Sequence, residues 1–337
     1  MPDSYNALPG RSAAIYAWRM LMAAAATSFL MLTAQSHAQT YPTKPVRIIV
    51  PSSTGGAVDG LARLVTQISP NLGQQVIADN RPGANGAIGL ELAAKAPPDG
   101  YTLVLGFLGP LAVNPGLYRK LTYDPLKDFA PITLVAESPL LVVGHPSLPA
   151  RSVRELIKFA KTRPGQVTYG TGGTGTGGHL TIELFKITAG VDLLHVPYKG
   201  IGPALTDVLA GHISLMASSP ISSQPHVKSG RLRGLAVTGR ERSPALPEVP
   251  TMIESGIPNF ESTTWFGVLA PAGTPPAIVT RLNTEIINLL RQPEVRQQIA
   301  RLGANPAGNT PDQFTAHIKT EIAKWAKVIK AANIELN

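Results

Sequence analysis

Residues 169–180 read YGTGGTGTGGHL: six glycines, with Thr171, Thr174 and Thr176 between them and His179 near the end. A β-forming run at 166–169 leads in, and Leu180, Leu184 and Ile187, with Ile182 and Phe185 beside them, lead out at helical spacing. The pattern predicts a strand, a glycine loop and a helix N-terminus. Glycine admits φ > 0 and lets a ligand approach the main chain. The first N–H groups of a helix have no intrahelical partner and carry the positive end of its dipole. Together they make an anion site, although a tight structural turn would read the same way. A second copy lies upstream. Residues 46–50 form an apolar strand, Pro51, Ser52, Ser53, Thr54, Gly55 and Gly56 a loop, and Leu61, Leu64, Val65 and Ile68 a helical face. Asp59 falls in the first turn, where a carboxylate favours the dipole, bonds a loop N–H or meets a ligand directly.

Other chemistry is limited by what the chain lacks. No G-x-S-x-G, S-x-x-K or H-E-x-x-H motif occurs, so the familiar hydrolase signatures are absent. With no Cys there is no thiol nucleophile, and the seven His stand dispersed, so no metal site and no cofactor is expected. Residues 170–175 match G-x-G-x-x-G, but no acidic residue ends the next strand about 20 positions on, so a dinucleotide is not the favoured ligand. Neither loop contains Lys or Arg. Recognition would rest on N–H groups and hydroxyls, each hydrogen bond to a charged group contributing about 1.5–3 kcal/mol. Two readings follow: a receptor for a small anion, with no catalytic residue, or an exported enzyme using Asp59, His179 or Lys199.

The elements that must position these loops alternate as strand and helix along 337 residues, which predicts an α/β fold with mostly parallel, doubly wound sheets. Residues 1–38 read as an export signal: Arg11 and Arg19, an apolar run from Met20 to Leu32, and a small residue, Ala38, before the cut. An uncleaved anchor helix is the alternative. The remaining length suits two domains. Net charge is +9, and the signal holds two Arg and one Asp, so +8 remains. The basic residues are scattered, with Arg231, Arg233, Arg240 and Arg242 the densest group, and no aromatics interleave them. Nucleic acid is not an expected partner. Strands are expected at 76–78, 102–107, 132–135, 140–143, 193–196, 213–217, 232–237 and 263–269. Asn114 and Pro115 should open a turn. Caps are expected at Ser152, Thr274 and Thr310, with Ile278, Leu282, Ile286 and Leu289 as the stripe of the helix after Thr274.

Four stretches carry a family resemblance. They are Pro51, Gly55, Gly56 and Asp59; Asn80-Arg81-Pro82-Gly83-Ala84 with Gly86, followed by Pro98-Asp99-Gly100-Tyr101-Thr102-Leu103; Thr171, Gly173, Gly175, Thr176, His179 and Leu180; and His195-Val196-Pro197-Tyr198-Lys199-Gly200. From about Tyr41 onward the chain resembles the Bug-type periplasmic solute receptors of tripartite tricarboxylate transporters. The resemblance implies a type II periplasmic binding protein fold, two α/β domains closing on a small organic carboxylate. Domain one would be 39–138 with 263–337, and domain two 139–262. It implies ligand contacts from Ser53, Thr54, Gly55 and Gly56, and from Thr171, Gly173, Thr174, Gly175 and Thr176. Phe107, Asn114, Ser218 and Ser219 would wall the pocket, and Asp59 and His179 would contact the ligand or support the loops. Ser52, Ser53 and Thr54 are more polar than usual for the family, and Ser218 stands near where many relatives carry an acid that can meet an ammonium. A plain carboxylate is therefore favoured over an amino acid. The expected product is a periplasmic monomer that delivers its ligand to transporter membrane subunits or to a sensor.

Overall fold

The computed structural model describes residues 41–243 and 245–334. The expected export signal lies outside them. From Lys44 onward the chain forms one compact unit, built on two sheets. It enters on β1 (Val46–Val50), passes through helix α1 (Ala57–Val65) to β2 (Val76–Asn80), and through α2 (Ala87–Ala94) to β3 (Thr102–Phe107). β1 pairs in parallel with both β2 and β3. Four of its five residues are buried, as befits a strand with helices on both faces. Where a turn was expected, the chain continues helically from Gly109 through Val113 into α3 (Asn114–Leu117). β4 (Phe129–Pro139) then leads across Leu140 to β5 (Leu141–Gly144).

The second sheet gathers β5 with three strand–helix units: α4 (Val153–Thr162) and β6 (Thr168–Thr171); α5 (Gly177–Ala189) and β7 (Leu194–Pro197); α6 (Ile201–Leu209) and β8 (Leu215–Ser218). A helix the sequence reading missed, α7 (Pro220–Lys228), precedes β9 (Arg233–Val237). The chain returns on β10 (Thr263–Pro271) and finishes with α8 (Pro276–Leu290), α9 (Pro293–Arg301), β11 (Asn305–Pro306) and α10 (Pro311–Ala331). The strand orders are β11-β4-β10-β3-β1-β2 and β7-β6-β8-β5-β9. The sheets are mixed rather than mostly parallel. Consecutive strand–helix–strand units pair in parallel, whereas the crossing strands β4, β5 and β10 pair antiparallel. β4 is longer than the expected 132–135 because it pairs with β10 along its whole length.

These registers set which way the loops face. Pro139 at the end of β4 pairs with Thr263 at the start of β10, so both crossings leave one edge of the first lobe. Phe107, the last residue of β3, lies opposite Phe266, three residues from that crossing. The carboxyl ends of β1, β2 and β3 therefore face the second lobe. There Leu141 lies opposite Ser218 and Val237, so the carboxyl ends of β8 and β9, and of β6 parallel to β8, face back. Crevices outside strand carboxyl ends are where open α/β sheets bind ligands.

Helix α5 belongs to both cores. Leu180 packs with Trp265, Phe314 and Trp325 of the first lobe; Ile182 and Phe185 pack with Tyr169 and Phe260 of the second. Ile187, expected on the Leu180 stripe, is exposed, because a helix held between two cores buries two narrower faces instead of one stripe. Thr310 forms the expected capping box with Gln313. Ser152 caps α4 through the Glu155 N–H, while the Glu155 carboxylate reaches the Arg151 N–H. Thr274 is a correction: Pro275 occupies the cap position, and the Thr274 hydroxyl donates to the Pro271 carbonyl, closing the preceding turn. With the helix starting one residue later, Val279 is buried and Ile278 only partly.

At the start of β10 the buried Glu321 of α10 accepts from the indole N–H groups of both Trp265, at 3.1 Å, and Trp325, at 2.9 Å, and pairs with Lys324. Glu321→Ala would leave two buried donors without an acceptor, and should destabilise the protein by roughly 3–5 kcal/mol in urea unfolding. A loss below about 1 kcal/mol would show that the carboxylate does not hold this corner.

Candidate functional site

The two glycine loops are built by the same local device. After β1 the chain turns through Gly55, whose φ is +87°, and the Gly55 N–H donates to the Asp59 carboxylate at 3.0 Å. After β6 it turns through Gly175, φ +78°, whose N–H donates to His179 Nδ1 at 3.1 Å. In each case a side chain one turn into the helix reaches back four residues to a left-handed glycine. Neither helix has a side-chain cap. Gly56 stands at the cap position of α1, and the Thr176 hydroxyl at the start of α5 donates away from the helix to the Gly173 carbonyl at 2.7 Å. Among the described residues, the N–H groups of Gly56, Ala57 and Val58 in one loop and of Thr174, Gly177 and Gly178 in the other have no protein acceptor. Each set lies at the positive end of a helix.

The supporting side chains are chemically different. Asp59 is 4% exposed. Burial would raise its carboxyl pKa, but Arg63 at 3.1 Å, the Gly55 N–H and Asn80 at 2.9 Å together hold it below its usual value. Both of its oxygens are engaged within the loop. His179 is equally buried and stacks on His195 with ring centroids 4.0 Å apart; His195 in turn stacks on Tyr169 at 4.9 Å. Burial first, then the neighbouring His195 and Lys186, pushes His179 down to about 3, so it is a neutral acceptor near pH 7. Burial also lowers His195, whose Nε2 lies 2.7 Å from Thr171 Oγ1. Beneath the stack, the Tyr169 hydroxyl donates to Glu183, which Lys186 meets at 2.9 Å. His195 was not expected to support this loop; its place on the adjacent strand β7, opposite Tyr169, is what brings it there.

The expected site residues separate into those the crevice exposes and those that hold it. Ser53, Thr54, Gly55, Gly56 and Thr174 are exposed, and Gly173, Thr176, Ser219 and Phe107 partly so. Thr171, Gly175, His179 and Asp59 are buried, with their polar groups turned into the loops. Asn114 is wholly buried, its amide engaged by Asn85 and Tyr123. Ser218 is 2% exposed and hydrogen-bonds Ser223. Helix N1 and N2 positions Ala57, Val58, Gly177 and Gly178 were missed as donors, although the helix starts imply them. A groove of about 580 Å³ lined by Tyr118, Arg119, Tyr123, Asp124, Asp128 and Ile322 lies on the first lobe, away from both loops.

Residues 61–334 match the family model described as tripartite tricarboxylate transporter family receptor. The protein BugT of Bordetella pertussis is 39% identical over 307 residues, covering 90% of this chain and 94% of its own length. A protein of R. palustris solved with adipate is 41% identical, covers 88% of this chain and 100% of its own, and superposes with a TM-score of 0.76. MatC from Rhodopseudomonas palustris, solved with bound malate, is 32% identical with a TM-score of 0.72 over 86% of this chain and 100% of its own. Both neighbours carry the fold that the two crossings and facing loops describe here.

The stacked imidazoles make the loop acid-sensitive. Between pH 6.5 and about 3 the unfolded chain binds a proton at His179 that the folded protein refuses. Its contribution to stability is therefore complete above pH 6.5 and is lost as pH falls towards 3. His179→Asn offers an acceptor to the Gly175 N–H without titrating. Unfolding free energy measured from pH 4 to 6 should fall more steeply in the wild type, by up to about 1.4 kcal/mol per pH unit. Equal slopes would show that His179 is charged in the folded state.

Proposed function

The chain belongs to the tripartite tricarboxylate transporter receptor family, and we propose that it is a non-enzymatic periplasmic receptor whose two lobes close on a small organic carboxylate. The carrying observation is the pair of facing loops, each with backbone N–H groups that have no acceptor among the described residues and neither with a basic side chain. A carboxylate bridging them accepts several hydrogen bonds of about 1.5–3 kcal/mol each, against a desolvation cost of several kcal/mol for the buried ion. The residues in reach are Ser53, Thr54 and Gly56 on one side and Gly173, Thr174, Thr176 and Gly177 on the other. Asp59 and His179 act by holding the loops open.

The ligand class follows from what the loops do not offer. The one carboxylate in them, Asp59, is committed to Gly55, Arg63 and Asn80, and Ser218 in the facing lobe is neutral. A ligand ammonium would find no free anionic partner there, so plain carboxylates should bind better than acidic amino acids. Residues 39–138 with 263–337 and residues 139–262 serve as the two moving domains of a monomer. Transporter membrane subunits are the recipients of the ligand.

Gly56 provides the test. A side chain built there meets nothing within 4 Å, its φ of −88° is ordinary, and aspartate is a favoured helix cap. Gly56→Asp should therefore fold at least as stably as the wild type while placing a negative charge in the anion site. At about 4 Å two like charges repel by about 4 kcal/mol near a protein surface, so affinity should fall by roughly 10²–10³-fold. The refolded protein is screened by thermal shift against mono-, di- and tricarboxylates and acidic amino acids; a ligand at 100 times its Kd stabilises by about 2.7 kcal/mol. A carboxylate that shifts the wild type and not Gly56→Asp fits the account. No response to any carboxylate, a stronger response to aspartate or glutamate, or turnover of the bound compound would overturn it.

A further inference from the structure

The first lobe presents a third loop to the crevice, after β2, and it contains the most unusual backbone among the described residues. Gly83, Ala84, Asn85 and Gly86 all have positive φ, at +127°, +46°, +49° and +85°. Two consecutive non-glycine residues in the left-handed region cost free energy, and such conformations persist where the surrounding structure holds them. What holds this one is a ring of amide contacts. Asn85 Nδ2 donates to Asn114 Oδ1 at 2.9 Å, and Asn114 Nδ2 faces the Asn85 carbonyl at 3.4 Å and the Tyr123 hydroxyl at 3.5 Å. The Tyr123 hydroxyl donates to the Pro110 carbonyl at 2.6 Å. Asn114 is thus wholly buried and fully engaged, whereas Asn85 is exposed. Its second amide hydrogen and its Oδ1 have no protein partner among the described residues.

The amide sits against Gly109, where an added Cβ would come within 3.1 Å of both Asn85 side-chain ends and 3.0 Å of the Phe107 ring. It therefore lies over the carboxyl end of β3, beside the loop that follows β1, on the side that faces the second lobe. We propose that Asn85 is a ligand-contacting residue of this crevice, presented by Asn114 and by the left-handed turn. Its free N–H donates to the second polar end of the ligand, a carboxylate or hydroxyl oxygen remote from the two glycine loops. The inference rests on the receptor reading above and deepens it: a neutral, rigid amide at this end suits a ligand with two polar ends, such as a dicarboxylate.

The test uses the whole exported chain and two probes, adipate and malate, with Kd measured by calorimetry well below the unfolding temperature of each variant. Asn85→Gly removes the amide and its bond to Asn114, while glycine adopts the positive φ without steric cost. Its Kd for whichever probe binds the wild type should rise about tenfold or more. Asn85→Asp keeps the size but turns an anionic oxygen towards an anionic ligand, and should weaken binding by a further factor of ten. A residue that only shapes the turn would change the unliganded melting temperature while leaving Kd within twofold in both variants, and that result would overturn the proposal. Binding of the probes lost in Gly56→Asp but unchanged in both Asn85 variants would refute Asn85 alone. Failure of the wild type to bind either probe or any other carboxylate would remove the receptor reading and this inference with it.

Discussion

The proposed ligand site depends on one constraint: among the described residues, the first N–H groups of two helices are left without a protein acceptor. Most helix starts are satisfied by a Ser, Thr, Asp or Asn side chain at the cap. Here the available side chains point elsewhere. The Thr176 hydroxyl closes onto Gly173, and Asp59 and His179 bond glycine N–H groups one turn back, outside the helix start. Each loop is rigid because its own polar groups are paired, and each helix start is open for the same reason. The glycines are needed where the chain turns left-handed at 55 and 175; at 56 an added side chain would meet nothing within 4 Å.

The two loops solve the support problem with opposite electrostatics. In the first lobe a carboxylate accepts the glycine N–H, with Arg63 and Asn80 compensating for its charge. In the second a neutral imidazole does so, kept neutral by burial and by a second imidazole stacked on it. Neither loop carries a basic side chain, and the one carboxylate, Asp59, is paired, so what the loops present are backbone dipoles. Helix α5 adds a mechanical link. It carries the second loop at its start, and its Leu180 face is packed into the first lobe's core beside Trp265 and Trp325. The second glycine loop therefore rides on a helix that packs into the cores of both lobes.

Much of this arrangement was legible in the sequence. The glycine loops, the helices after them and the Thr310 capping box follow from residue types at fixed spacings, because local backbone geometry decides them. The two-lobe architecture was legible through the ordered motifs of the family. Less legible was which polar residue faces the crevice. Asn114 and Asn85 are both asparagines beside prolines and glycines, and only a contact across 29 residues shows that one is buried support and the other is exposed. The Ile187 and Thr274 expectations failed for related reasons. Periodicity assumes one buried face, and α5 has two; a Thr before a Pro reads as a cap, but the preceding turn offered its hydroxyl a nearer acceptor. The pairing of His195 with His179 could not be read from spacing, because the parallel neighbour of β6 is set by sheet topology.

The central claim is that one carboxylate-bearing ligand is held at once by backbone N–H groups from both lobes. Amide resonances of 15N-glycine-labelled protein titrated with adipate test it most directly. The account predicts that Gly56 in the first lobe and Gly177 in the second shift together along a single saturable curve, with one Kd and one ligand per chain. Saturable binding that moves only one of the two, or that instead moves resonances around the Tyr118 groove, would contradict it.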